Sequence, residues 1–148
     1  MKTLRKAVCV GGFLVSFTTP GGARQLSVSA DVAQLIAQHA TRYQVPETLI
    51  YGIIKRESGF NPKAHRKAYW GLMQISNATA RSVGYRGPPE GLLDANTNLT
   101  YGVLYLANAY IVARGDARRA MTLYSRGYYY EAKHKGLLGA LHTAATTQ

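Results

Sequence analysis

Apolar residues recur at intervals of three and four along most of the chain from Ser29 onward, which is the spacing of one face of an α-helix. No alternating pattern of strand length interrupts these repeats, and residues 60–75 leave room for a short hairpin at most. The sequence therefore predicts an all-α fold. The longest repeat follows Asp94 and is expected to bury Leu99, Val103, Leu106, Tyr110 and Ile111.

Capping residues give the approximate ends of the helices. Ser29, Asp94 and Asp116 stand where a side-chain oxygen accepts a hydrogen bond from the first turn. Gly59 and Gly115 stand where a helix ends. A chain of 148 residues fits one domain rather than two. The six predicted helices run over about 29–43, 46–58, 76–83, 94–115, 116–124 and 130–138.

The start of the chain has the order of a secretory signal peptide. Lys2, Arg5 and Lys6 form a basic segment, an apolar run occupies 7–17, and small residues lead up to Ala23. The apolar run is too short to span a bilayer as a stable helix, although an uncleaved anchor would share its pattern. We therefore predict an exported protein of the periplasm or cell envelope, with a signal peptide over 1–23, one domain over 24–138 and a loose tail over 139–148.

The chain is strongly basic, with a formal net charge of +11. Such a charge attracts polyanions, which include nucleic acids, anionic cell-wall polymers and membrane surfaces. Charge alone does not separate these partners. An exported protein meets wall polymers and membranes first, so nucleic acid is not expected as a partner. No other segment approaches the length of a membrane span, so no stable membrane insertion is expected after signal cleavage.

Acid–base chemistry would have to come from only seven acidic residues. Four of them lie at N-caps or in first helical turns, where the helix dipole favours a negative charge. One more lies in a polar loop and another beside two lysines, so six of the seven have a structural explanation. Those six are Asp31, Glu47, Glu90, Asp94, Asp116 and Glu131.

Glu57 is the exception, because it lies in the last turn of its helix, where the dipole disfavours an anion. It also continues the apolar stripe of residues 49–54. Its side chain is therefore expected at the edge of the core, where partial desolvation favours the protonated form. A protonated carboxylic acid is the proton donor that glycoside cleavage needs. An ion pair with Lys55, Arg56 or a loop arginine is the alternative explanation of this position.

Three motifs follow one another along the chain. They are Glu57-Ser58-Gly59-Phe60-Asn61-Pro62, Gly71-Leu72-Met73-Gln74-Ile75, and Tyr124 with Gly127 three residues later. Together they resemble the soluble, Slt-type lytic transglycosylases, a family related to goose-type lysozyme. That family shows a Glu-Ser pair at a helix end, a Gly-Leu-Met-Gln-Ile segment and a later Tyr-Asn-x-Gly motif. The resemblance covers roughly 30–130, and the first two motifs at this separation are a specific signal.

The resemblance implies a lysozyme-like domain in which Glu57 is catalytic and cleaves the glycan strands of peptidoglycan. It implies that the β-1,4 bond from N-acetylmuramic acid to N-acetylglucosamine breaks without water, that a 1,6-anhydro ring forms, and that no metal or cofactor is needed. The chain departs from the family at Ser125, where Asn is usual and where Ser offers a shorter reach and fewer hydrogen-bonding groups. The substrate contacts implied by the resemblance are Ser58, Met73, Gln74 and Tyr124.

Two other functions fit the same sequence. A hydrolytic muramidase would use the same acid with water as the nucleophile, and its product would be heavier by one water. A weakly active peptidoglycan-binding module would keep the fold, and Ser125 is the one hint of it. The small size of the chain also suggests a local role, such as opening the wall for a secretion or flagellar assembly.

Overall fold

The computed structural model describes residues 28–146, so the predicted signal peptide over 1–23 lies outside the described residues. Six α-helices dominate this part of the chain, which confirms the predicted all-α, lysozyme-like class. The helices are α1 (Ala30–Tyr43), α2 (Glu47–Glu57), α3 (Asn77–Ser82), α4 (Ala95–Val112), α5 (Ala117–Arg126) and α6 (Tyr129–His134). Short 3-10 helices occupy Pro89–Leu93 and Leu138–Ala140.

The predicted helix caps are present. The side chains of Ser29, Asp94 and Asp116 accept the backbone N–H three residues further on, at 3.3, 2.8 and 2.9 Å. At the end of α2 the chain turns through Gly59, whose φ of +59° is a conformation that glycine adopts without strain. These local interactions set where α1, α4 and α5 begin and where α2 must stop.

Helix α4 is the centre of the fold. It packs against α1, α3 and α5, and its buried residues face several directions. Leu99, Val103 and Leu106 are fully buried as predicted, whereas Tyr110 and Ile111 in the last turn are half-buried. A helix that is apolar on all sides is enclosed by its neighbours, which is the arrangement seen here. Within residues 28–146, no helix is both long enough and apolar enough to cross a membrane.

A small antiparallel sheet lies between α2 and α3, where the sequence predicted a short hairpin. The hairpin consists of β1 (His65–Arg66) and β2 (Tyr69–Trp70), and β3 (Ile75–Ser76) adds a third strand by pairing with β2. Residues 71–74 form the turn between β2 and β3. The sheet therefore fixes both ends of the Gly-Leu-Met-Gln segment.

Two residues near the C-terminus, His142 and Ala144, are hydrogen-bonded to the rest of the fold, and the loose tail over 139–148 stays a prediction. The side-chain amide of Asn108 in α4 donates to the carbonyl of His142 at 2.9 Å and accepts its N–H at 2.7 Å. The N–H of Ala144 donates to the carbonyl of Val83 at 3.0 Å. The segment has no apolar periodicity, so these tertiary hydrogen bonds could not be foreseen from the sequence.

Candidate active site

Glu57 lies at the C-terminal end of α2, directly after the apolar stripe that anchors this helix in the core. Leu49, Ile50, Ile53 and Ile54 are all buried, and the Glu57 side chain that continues their row is 26% exposed. The carboxylate is thus at the edge of the core with one side open to solvent, as the stripe predicts. The helix holds this position rigidly because the residues before it are fully packed.

An arginine is paired with this carboxylate. The Arg56 guanidinium donates from Nη2 and Nε to Oε1 of Glu57 at 2.7 and 3.0 Å, and Nη2 also donates to Ser125 Oγ at 2.9 Å. The Arg56 side chain is 41% exposed, and ion pairs of this exposure contribute about 1 kcal/mol or less. The pair therefore orients Glu57 but can open at low cost.

Glu57 faces a cleft formed by two adjoining cavities of about 240 and 270 Å³. The smaller cavity contains Glu57 and Arg66, and the larger one extends past Tyr105 to Gly127 at the end of α5. Both cavities share walls from the sheet and from α5. The shared lining residues are Tyr69, Gln74, Tyr124 and Ser125.

Gln74 is a buried amide on the wall of this cleft. Its backbone has a φ of +46°, and its Nε2 donates to the carbonyls of Ala64 and Gly71, both at 3.0 Å. Both hydrogens of the amide are therefore used within the protein. What the side chain can offer a ligand in the cleft is its Oε1 acceptor.

Tyr124 is buried in the wall opposite the sheet, and its hydroxyl donates to the carbonyl of Met73 at 2.9 Å. Its ring packs edge-to-face on Tyr105 with centroids 5.5 Å apart. Burial raises the pKa of Tyr124 well above its ordinary value, and the negative charge of Glu57 raises it further. The phenol therefore stays neutral and acts as a hydrogen-bond donor rather than as an acid.

The other two residues expected at the substrate, Ser58 and Met73, do not line the two cavities. Met73 is 0% exposed, and its side chain packs in the core beside Gly102. Ser58 Oγ lies 2.7 Å from the carbonyl of Leu72 and 3.3 Å from that of Ile54. It ties the end of α2 to the Gly-Leu-Met-Gln segment, so its contacts are internal.

Three further residues shape the site without having been predicted. Asn98, buried in α4, donates to the carbonyls of Trp70 and Leu92 and accepts the N–H of Met73 at 2.9 Å. Arg66 in β1 donates to the backbone carbonyl of Glu57 at 2.7 Å, and Tyr105 supports Tyr124. The only sequence signal among them is Asn98, a polar residue beside the buried stripe of α4.

All seven acidic residues lie within the described part of the chain, and Glu57 is the one that lines the cleft. Asp94 and Asp116 cap helices, as predicted. Glu131 pairs with Arg119 and Lys135 at 2.7 and 2.6 Å. Among residues 28–146, no three His, Cys, Asp or Glu side chains come together as a metal site would require.

A helical, lysozyme-like fold with one half-buried carboxyl group in an open cleft is the arrangement expected of a glycan-cleaving enzyme. A family model described as the transglycosylase SLT domain matches residues 34–144, which is most of the chain. The chain belongs to this family, so the resemblance drawn from the three motifs is confirmed. Members of the family are lytic transglycosylases, which cleave peptidoglycan.

Proposed function

We propose that this chain is a peptidoglycan lytic transglycosylase in which Glu57 acts first as the acid and then as the base. The observation that carries the proposal is the position of Glu57 as the one acidic residue in a cleft that it shares with Gln74 and Tyr124. A proton donor for glycoside cleavage must reach the glycosidic oxygen and be partly shielded from water. The position of Glu57 on the cleft wall and the 26% exposure of its side chain support this role.

In the proposed reaction Glu57 donates its proton to the oxygen that links N-acetylmuramic acid to the following N-acetylglucosamine. The bond from C1 to that oxygen breaks, and the substrate's own N-acetyl group stabilises the cation that develops at C1. The Glu57 carboxylate then takes the proton of the C6 hydroxyl, and that oxygen bonds to C1. The ring closes without water, so the masses of the two products sum to that of the substrate.

Arg56 has to release Glu57 for this cycle to begin, because a protonated carboxyl group no longer forms the ion pair. The exposure of the guanidinium makes that release inexpensive, at about 1 kcal/mol or less. When the carboxylate forms again, Arg56 can pair with it once more. The pair thus fits a residue that alternates between its acid and base forms.

The scarcity of carboxylates favours this reaction over hydrolysis. Most hydrolytic glycosidases flank the scissile bond with two carboxyl groups, one of which activates water or attacks the sugar. The cleft holds Glu57 alone, since the other six acids lie elsewhere in the described structure. A reaction in which the substrate supplies the nucleophile needs no second carboxylate.

We also propose that residues 1–23 are a signal peptide and that the protein works outside the cytoplasm, where its polymer lies. The basic charge of the chain supports this location, because peptidoglycan carries peptide carboxylates. N-terminal sequencing of the exported protein should begin at Arg24. A protein that retained Met1 in the envelope would identify the segment as an anchor instead.

Mass spectrometry of the fragments released from purified peptidoglycan tests the proposed reaction. We expect 1,6-anhydro products from the wild type, and a loss of at least about a hundredfold in rate for Glu57→Gln, since a general acid contributes 10²–10⁴-fold. Glu90→Gln is the matched control, because it removes an exposed carboxylate from the 3-10 helix at Pro89–Leu93. Its rate should equal that of the wild type.

Two results would replace the proposal with another function. Products heavier by one water would identify a hydrolytic muramidase that uses the same acid. Wild-type protein that sediments with peptidoglycan but releases no fragments would identify a binding module on this fold.

A further inference from the structure

A second concave surface adjoins the cleft at Gly127. It lies between α5 and α6 and encloses about 560 Å³, roughly twice either cavity of the cleft. Arg126 and Gly127 line both the cleft and this surface. A polymer that leaves the cleft past Gly127 therefore runs directly onto it. We call it the α5–α6 surface.

An exposed aromatic side chain stands on this surface. Tyr130 is 85% exposed and lines the concavity, whereas its neighbour Tyr129 is 56% exposed and does not line it. A tyrosine presents an apolar ring face and a polar tip, which matches the faces and hydroxyls of a sugar ring. Its ring packs edge-to-face on Tyr129 with centroids 5.5 Å apart, so most of its surface stays open to a ligand.

The charged groups of the surface leave two arginines available. The Asp116 carboxylate caps α5, and the Glu131 carboxylate is shared by Arg119 and Lys135. Arg118 and Arg126 form no ion pair with any side chain of residues 28–146. Both line the concavity and both are exposed. The surface therefore offers net positive charge beside an aromatic face.

We propose that the α5–α6 surface binds the part of the glycan strand that extends beyond the cleft, together with its acidic peptide. A sugar ring stacks on Tyr130, and peptide carboxylates pair with Arg118 and Arg126. The proposal rests on the proposed function, because it takes the occupant of the cleft to be peptidoglycan. It adds a second site that holds long strands while Glu57 cleaves them.

Sedimentation with insoluble peptidoglycan tests this site, using the Glu57→Gln background so that the wall stays intact. We expect Tyr130→Ala combined with Arg118→Ala to weaken binding about fivefold or more, which corresponds to the loss of two moderate contacts. The control combines Leu138→Ala with Lys133→Ala, because it removes one exposed apolar side chain and one exposed cation outside the concavity. Its binding should match that of the parent.

Peptidoglycan with amidated peptide carboxylates separates charge recognition from a general loss of binding. On that material the difference in binding between the Tyr130/Arg118 variant and the control should become smaller, because only the contact of the sugar with Tyr130 is then lost. If the difference in binding is unchanged on amidated peptidoglycan, the site does not recognise acidic peptides. If both variants bind native peptidoglycan equally well, the α5–α6 surface is not a binding site. Cleavage by the wild type is measured separately, so a failure of the site leaves the proposed reaction standing, and the reverse also holds.

Discussion

The residue that departs from the family pattern has a defined role in this structure. Ser125 accepts a hydrogen bond from Arg56 at 2.9 Å and donates to the carbonyl of Met121 at 3.2 Å. The same Arg56 nitrogen holds Oε1 of Glu57. Ser125 thus connects the α5 wall of the cleft to the proposed acid through one guanidinium.

Replacing Arg56 by Gln removes the guanidinium that pairs with the Glu57 carboxylate. Because the proposed first step requires Arg56 to release Glu57, the rate of wall solubilisation should rise relative to wild type. The gain should reach about fivefold at most, since an exposed pair contributes about 1 kcal/mol or less. The pH–rate profile measured by release of soluble fragments checks this expectation.

Two companion variants make the Arg56 result specific. Lys55→Gln removes the same charge from the preceding, exposed position and should leave the profile unchanged. Arg56→Lys keeps the cation and should behave like the wild type. A rate that falls equally at every pH in Arg56→Gln would show instead that the guanidinium positions Glu57 or binds the substrate.

The sequence pointed to the residues that line the candidate site but not to all of those that hold them in place. Glu57 could be singled out by elimination, because the other acids are explained by caps, first turns or neighbouring charges. Gln74 and Tyr124 followed from the family motifs, and both lie in the cleft with Glu57. Arg66 could not be found this way, because its contact with Glu57 depends on how a two-residue strand folds back onto the end of α2.

At the scale of elements, the segment between β2 and β3 is what places Gln74 in the cleft. Gly71 begins this segment with a φ of +68°, and a Cβ there would overlap the Asn98 amide and the carbonyl of Leu92. Asn98 holds the segment from α4, because it accepts the N–H of Met73 and donates to the carbonyl of Trp70 directly before the segment. Its third hydrogen bond goes to the carbonyl of Leu92 in the 3-10 helix. Tyr124 holds it from α5 through the carbonyl of Met73.

Replacing Asn98 by Ala should destabilise the protein and also reduce its activity. The change leaves the Met73 N–H and two carbonyls buried without partners, which costs about 2–4 kcal/mol in the free energy of unfolding. Urea denaturation measures that loss. The rate of wall cleavage by the folded variant should fall as well, because the segment that carries Gln74 loses its anchor.

Asn108→Ala in the same helix is the matched control. Asn108 is also buried and also makes three hydrogen bonds, with Tyr128 and with the backbone of His142. Its loss should cost a similar free energy but leave the cleft intact, so cleavage below the unfolding transition should stay near wild type. Equal losses of activity in both variants would contradict a specific role for the Gly71–Gln74 segment.

Helices were predictable in this chain because their signals are local. Ser29, Asp94 and Asp116 begin helices through their own side chains, and apolar spacing marks the buried faces. Strands of two residues carry no such pattern, so β3 could not be foreseen. The hydrogen bonds of His142 likewise depend on Asn108, which is distant in sequence.

At the scale of the whole molecule, a buried histidine joins the first helix to the central one. His39 in α1 is 7% exposed, and its Nε2 lies 3.1 Å from Oδ1 of Asn96 in α4. Its Nδ1 has no hydrogen-bond partner among residues 28–146, and its ring stacks with Tyr43. Burial lowers the pKa of His39 below its ordinary value, and the positive charge of Arg42 lowers it further.

Stability should therefore fall as the solution is acidified below about pH 6.5, the ordinary pKa of histidine. In the unfolded chain His39 takes up a proton near its ordinary pKa of 6.5. In the folded chain His39 is protonated only at a lower pH, because its pKa there is lowered. The unfolded state thus binds more protons in this window, and the free energy of unfolding falls by up to about 1.4 kcal/mol per pH unit. The stability is fully present above pH 6.5 and is lost as the pH falls through the folded pKa.

Urea denaturation across this window isolates His39, because the acidic residues with lowered pKa, Asp94 and Glu131, titrate below their ordinary values of 3.8 and 4.5. His39→Gln keeps an amide donor for Asn96 but cannot take up a proton, so its stability should vary less with pH than that of the wild type. His134→Gln changes an exposed histidine and should keep the wild-type slope. An equal slope in all three proteins would show that the contact between α1 and α4 does not depend on the protonation of His39.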